Sequence, residues 1–280
     1  MILSFVSSTS APPVPTAPNV LRQHPLFFFF LLAYGFTSVY VLVFLVLFHV
    51  PLNLCVLEPP LSAFILTAVT EGTPGIRRLL RRIVLWRVGL SWYLFACFGI
   101  LVLCLLGTII LPGAFYHAPS LSFVLNVPLN FLLAFLMGPL FEELGWRGFA
   151  LPRMQRLQGP LIGSLLLGIL WAFWHLPLFL MPGFAEQNGG LSLASVSVFT
   201  LTAIAITIIM TWAFNHTWGS LLIVMLIHNS VNTSQEVVNG LFPSQTHSDL
   251  NALIGLGVAA LVIVLVTRGR LGYRPDQKQS

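Results

Sequence analysis

The chain has 280 residues, of which 57% are hydrophobic and only 8% charged, with a net charge of +5. Soluble domains carry roughly 25% charged residues, so these proportions exclude a protein whose whole surface meets water. They suit a single bundle of seven or eight membrane spans of ~20 residues each. The apolar runs are long and continuous, not alternating with period two, which excludes a membrane β-barrel. A basic balance can signal a nucleic-acid partner, but here the cations stand beside apolar runs and read as topology signals, so no nucleic acid is expected.

In chain order, residues 1–25 are rich in Ser, Pro, Thr and Ala, with Arg22 as the only charge, and read as a disordered tail with no signal peptide. Spans are expected at about Leu26–Val50, Leu52–Thr70, Leu90–Leu111, Leu121–Ala150, Pro160–Met181, Leu191–Phe214, Ser220–Val238 and Leu250–Val266. The second is the weakest, because Glu58, Pro59 and Pro60 interrupt it. Residues 26–267 thus form one all-α polytopic bundle of about eight spans, with no internal repeat and no soluble domain, and 268–280 form a basic tail. Cys55, Cys97 and Cys104 all fall in apolar stretches and serve as small hydrophobes, giving neither a disulfide framework nor metal spacing.

The loop after the second span has a structure of its own. Thr73-Pro74 reads as an N-cap followed by Pro at the first helical position. Beyond it Ile76, Leu79, Leu80 and Ile83 share one helical face, with Arg77, Arg78, Arg81 and Arg82 on the other. Such a helix is expected to lie flat against anionic lipid headgroups.

Orientation follows from the cations. With eight spans, all 13 basic residues fall on or next to the side that carries both termini, from Arg22 through the Arg77–Arg87 and Arg147–Arg156 groups to Lys278. The loops on the opposite side have none. Both termini are therefore expected in the cytoplasm of a plasma membrane of bacterial or archaeal type.

Ionisable groups inside lipid cost about 2.5–3.5 kcal/mol each when charged at a helix centre, which makes three places informative. In Phe141-Glu142-Glu143-Leu144-Gly145-Trp146-Arg147, Glu143 and Arg147 are i,i+4 neighbours with the acid first, the favourable order for an ion pair. Glu142 points about 100° away and lacks that partner; an unpaired carboxylate in a dry site suits a general base. His175 follows Trp171-Ala172-Phe173-Trp174, and taken alone is more often a packing residue than a catalyst. His228 and Asn232 are one turn apart and present donors from one face, which also fits interhelical polar glue.

Spacing links these places. Glu142 lies 17 residues before Gly159 and His175 lies 16 after it, so a fold-back at Gly159-Pro160 brings both to one depth, ~24 Å from the turn. His228 lies ~13 Å beyond Gly219, in the same layer. Gly159-xxx-Gly163 and Ser164-xxx-Gly168 give the fifth span a small-residue edge for close approach. The site is expected within the membrane, nearer the cytoplasmic side.

At these residues the sequence resembles the CPBP family, the CAAX protease and bacteriocin-processing intramembrane proteases, also called the Abi family. Its signatures are Glu-Glu-x-x-x-Arg, an aromatic-x-x-x-His and His-x-x-x-Asn/Asp, in that order on three helices. They correspond here to Glu142-Glu143 with Arg147, Trp171 with His175, and His228 with Asn232. The likeness covers about residues 121–238, the expected catalytic core, and Trp171 stands where many members have Phe. The resemblance implies that Glu142 and His175 activate a water, that His228 and Asn232 stabilise the oxyanion, and that Glu143 and Arg147 support them.

The expected activity is then an intramembrane endopeptidase acting on membrane-associated or lipidated, CAAX-type substrates, with membrane lipids as its surroundings. Bacteriocin self-immunity or peptide maturation, and a non-catalytic scaffold, are the alternative readings; the lack of an inverted repeat argues against a transporter. No cofactor is firmly expected. Zinc on Glu142, His175 and His228 stays open, although no His-Glu-x-x-His helix is present and Arg147 opposes a cation beside the site.

Overall fold

The computed structural model of the chain describes residues 19–48, 57–245 and 250–275. The ordered elements among the described residues are all helical. They are α1 (Pro25–Tyr40, continued by a π stretch over Val41–Leu47), α2 (Glu58–Arg81), α3 (Leu90–Ile109), α4 (Leu121–Met137) and α5 (Pro139–Gly145). After a π turn over Trp146–Ala150 come α6 (Leu151–Gln158), α7 (Pro160–Trp174), α8 (Leu193–His216), α9 (Leu221–Leu241) and α10 (Leu250–Thr267).

Among the described residues, 6 helical segments can cross a membrane by length and apolarity, at Pro25–Phe44, Leu90–Ile109, Leu121–Gln158, Pro160–Leu180, Leu193–His216 and Leu250–Thr267. The two further expected spans fall on α2 and α9, which are long enough, with 24 and 21 residues, but carry too many polar side chains. Helix α9 does not need a lipid-compatible surface. It packs against α3, α4, α5 and α8, and buries Ile223, Val224, Met225 and Ile227 together with His228 and Asn229.

Two expectations about the helices need correction. The fourth span is not one helix over Leu121–Ala150: the chain breaks at Gly138, whose φ of −144° and ψ of −79° are not helical, and restarts with Pro139 in the first turn of α5. A straight helix of that length would reach ~45 Å, well beyond the ~30 Å of hydrocarbon, so a change of direction is required. In the second span, Pro59 and Pro60 do not interrupt a helix; they lie in the first turn of α2, where a missing N–H is harmless. The part of that span over 52–56, with Cys55, lies outside the described residues, as do residues 1–18 of the expected tail.

The stretch after Thr73 is helical, as the last part of α2. Gly72, with φ +65°, kinks the helix, and Pro74 opens the new direction. Leu79 is buried against the bundle, while Leu80 stays exposed, so the inward face is narrower than the sequence pattern indicates. Arg82 at its end donates to the Gly148 carbonyl at 3.1 Å, and its own carbonyl accepts the Leu221 amide at 3.0 Å, tying α2 to the π turn and to the start of α9.

The fold-back at Gly159 is present, with φ +78°, a conformation that favours glycine. The small-residue edge of α7 works as expected: a side chain at Gly163 would meet the backbone of α6, and one at Gly168 the backbone of α8. Helix α1 is fastened to α7 by the Tyr34 hydroxyl on the Leu170 carbonyl at 2.5 Å and by the Trp174 indole N–H on Thr37 at 2.7 Å. Phe29 of α1 lies 5.1 Å from the Phe149 ring and 5.4 Å from the Trp146 ring, so an aromatic core fills the space around the π turn.

Candidate active site

Helix α5 begins immediately after the Gly138 break, and its close seat against α2 follows from Gly145. A β-carbon at that position would lie 2.6 Å from Pro59, so only glycine admits this approach. The result carries Glu142 and Glu143 into the bundle centre, with 6% and 0% of their surface exposed.

Glu143 and Arg147 form the expected i,i+4 ion pair, 3.0 Å apart and both fully buried. The guanidinium continues to the Thr207 hydroxyl of α8 at 2.8 Å, and lies 4.4 Å over the Trp171 ring of α7. Glu143 is more than a support for Arg147. The same carboxylate oxygen lies 2.7 Å from His228 Nδ1 of α9. A carboxylate only accepts, so Nδ1 carries the proton there and Nε2 points away from Glu143.

Glu142 has the different surroundings that its angular offset predicts. One oxygen, Oε2, accepts the Trp171 indole N–H at 3.1 Å. The other, Oε1, faces the Gly138 break and takes no hydrogen bond among the described residues. His175 caps the end of α7, with Nδ1 donating to the Trp171 carbonyl at 2.8 Å, so its Nε2 holds a lone pair. It lies within electrostatic reach of Glu142. Trp174, Phe184 and Phe199 surround its ring at centroid distances of 4.7, 6.1 and 5.2 Å, an apolar wall that limits water.

Trp171 joins the two halves. Its ring lies 5.2 Å from the His175 ring and 5.2 Å from the His228 ring, while its N–H holds Glu142 and its face meets Arg147. Glu142, Glu143, Arg147, His175 and His228 are therefore brought together from α5, the π turn, α7 and α9. Asn232 is not drawn into this network. It lies one turn beyond His228 but is exposed and makes no hydrogen bond among the described residues.

The sequence signals left out three members. Trp171 reads from the sequence only as a motif aromatic, although it is the group that holds Glu142. Thr207 is a lone hydroxyl in an apolar helix. Glu58 is 7% exposed, has a buried Oε2 that takes no hydrogen bond among the described residues, and feels the charge of Glu142; its signal was an acid inside an apolar run. For zinc the donors do not fit. Among the described residues no group of three His, Cys, Asp or Glu side chains is arranged to hold a metal ion.

Residues 124–234 match the family described as type II CAAX prenyl endopeptidase Rce1-like. The curated relative CAAX prenyl protease 2 of Methanococcus maripaludis is 34% identical over 113 residues, which cover 40% of this chain and 41% of the relative. The alignment thus spans about two fifths of that relative's length. Every residue of the cluster except Glu58 falls between 124 and 234. This segment, which contains the buried Glu142–Trp171–His175 and Glu143–Arg147–His228 groups, is what the chain shares with the Rce1-like family of CAAX prenyl endopeptidases, to which it is similar over those residues.

Proposed function

We propose that the chain is an intramembrane endopeptidase that hydrolyses a peptide bond in a membrane-associated or lipidated substrate, with its arginine-rich end in the cytoplasm. The observation that carries this reading is the position of Trp171, which holds an acid otherwise free to act as a base while lying between two imidazoles from different helices. The name of the relative supports a lipidated, CAAX-type substrate.

Each residue has a derivable task. A water between Glu142 and the Nε2 lone pair of His175 gives a proton to Glu142 as its oxygen attacks the scissile carbonyl. The carbonyl π electrons move to oxygen, and the developing oxyanion needs donors already in place. His228 donates through Nε2 when its ring carries both protons, with Nδ1 held on Glu143 so that Nε2 is turned away from that carboxylate. Asn232, exposed on the open side of α9, supplies a second donor once the substrate covers it. Glu142 then returns its proton to the leaving amine as the C–N bond breaks. Thr207 holds Arg147, which in turn holds Glu143 and through it the His228 ring.

The test is cleavage by purified protein of a panel of prenylated and unprenylated peptides, with and without a chelator. Glu142→Gln removes the base while keeping an acceptor for Trp171; activity is expected to fall by about 10²–10⁴-fold with the fold intact. Full activity in this variant removes Glu142 from the mechanism. Loss of cleavage with chelator and recovery with zinc would overturn the route by Glu142 and His175 alone.

A further inference from the structure

The strongest feature outside the catalytic cluster is a cavity of about 730 Å³ at the arginine-rich end of the bundle. Arg78 and Arg82 from the end of α2, Arg153 and Arg156 from α6, and Arg274 from the carboxy-terminal segment line it, with Glu71 as its acid. We propose that this cavity binds a phosphate group, presented by an anionic lipid headgroup or by soluble phosphate, between the end of α2, α6 and residues 268–275.

Charge and construction both support this. Glu71 pairs with Arg78 and Arg153, so one carboxylate serves two guanidinium groups. Five arginines against one glutamate leave the cavity strongly positive. Burial, followed by the charges of Arg153, Arg78 and Arg156, pulls the Arg82 guanidinium down to about 10. A bound anion relieves that repulsion. Guanidinium groups match phosphate oxygens with paired donors, and basic pockets between membrane helices suit anionic headgroups.

The walls are held in place by contacts that do not involve the proposed ligand. Arg153 donates to the Phe149 carbonyl at 2.8 Å and its guanidinium lies 3.6 Å over the Phe149 ring. The carboxy-terminal segment is fastened by Asn215 of α8, whose amide donates to Gln155 at 2.8 Å and to the Leu271 carbonyl at 2.9 Å. Leu271 is fully buried, so Arg274 reaches the cavity from an anchored turn. The exposed Arg77 and Arg81 of the same α2 segment do not line the cavity, which separates a built site from diffuse surface charge.

The test uses the full chain in nanodiscs. One arm compares phosphatidylcholine discs with discs containing phosphatidylglycerol, reading retained lipid by native mass spectrometry and the midpoint of thermal unfolding. The other titrates inorganic phosphate into phosphatidylcholine discs against chloride at matched ionic strength. Stabilisation in the first arm alone assigns the headgroup, and stabilisation in the second assigns soluble phosphate; either sustains the site. Arg156→Gln with Arg274→Gln is expected to weaken binding about thirtyfold, whereas Arg77→Gln with Arg81→Gln leaves it within about twofold. Arg274→Gln alone, at an exposed position, gives a folded second variant expected to weaken binding about fivefold. Equal weakening by both double variants, no weakening by Arg274→Gln, or no binding in either arm overturns the proposal.

Discussion

The bundle contains two clusters of charge built on opposite principles. At its centre, Glu143 is matched by Arg147 and His228, which both meet the same carboxylate oxygen. At the arginine-rich end, cations from three parts of the chain face one another with Glu71 as their shared acid. The first arrangement survives deep burial because its charges cancel locally. The second is tolerable because it faces an opening where counter-ions reach it. Net charge of a region therefore says less than how each charge is matched.

The comparison can be broken at the central cluster by removing one partner. Arg147→Met leaves Glu143 buried beside His228 alone, and should destabilise the protein by about 3–5 kcal/mol in denaturant titration in detergent. Stability within 1 kcal/mol of wild type would mean that the central charges are not tightly matched. Trp171→Phe tests the join between the two halves. It keeps the ring between the imidazoles but deletes the N–H on Glu142, and kcat/KM should fall by about ten- to a hundredfold without loss of helix content. The smallest effect belongs to Thr207→Val, which takes one acceptor from Arg147 and should cost about 0.6–1.7 kcal/mol in the same titration. A cost as large as that of Arg147→Met would make α8, and not Glu143, the main partner of the guanidinium.

Much of this was legible in the sequence, for stated reasons. The apolar runs and the turn at Gly159 follow from length and local backbone preference, and the Glu143–Arg147 pair follows from helical spacing. The equal depth expected for Glu142 and His175 agrees with their sharing Trp171, whose indole N–H donates to Glu142 and whose carbonyl accepts from His175 Nδ1. The break at Gly138 was concealed because hydrophobicity on both sides is uniform, although the length of the run exceeded a single crossing. The Glu143–His228 bond was not legible, since it depends on how α9 is rotated against α5, which packing determines. The same rotation buries His228 while leaving Asn232 exposed one turn away. Glu58 escaped because an acid beside two prolines reads as an interruption of the second span, whereas here it opens a helix and is buried.

The anchored carboxy-terminal turn has a practical side for anyone handling the protein. Gly272, with φ +71°, lies so near His216 that a β-carbon would come within 2.1 Å of the ring. Purification tags and reporter fusions should therefore begin after Arg274, and a shortened form ending at Thr267 would strip the plug that Leu271 inserts beneath Asn215.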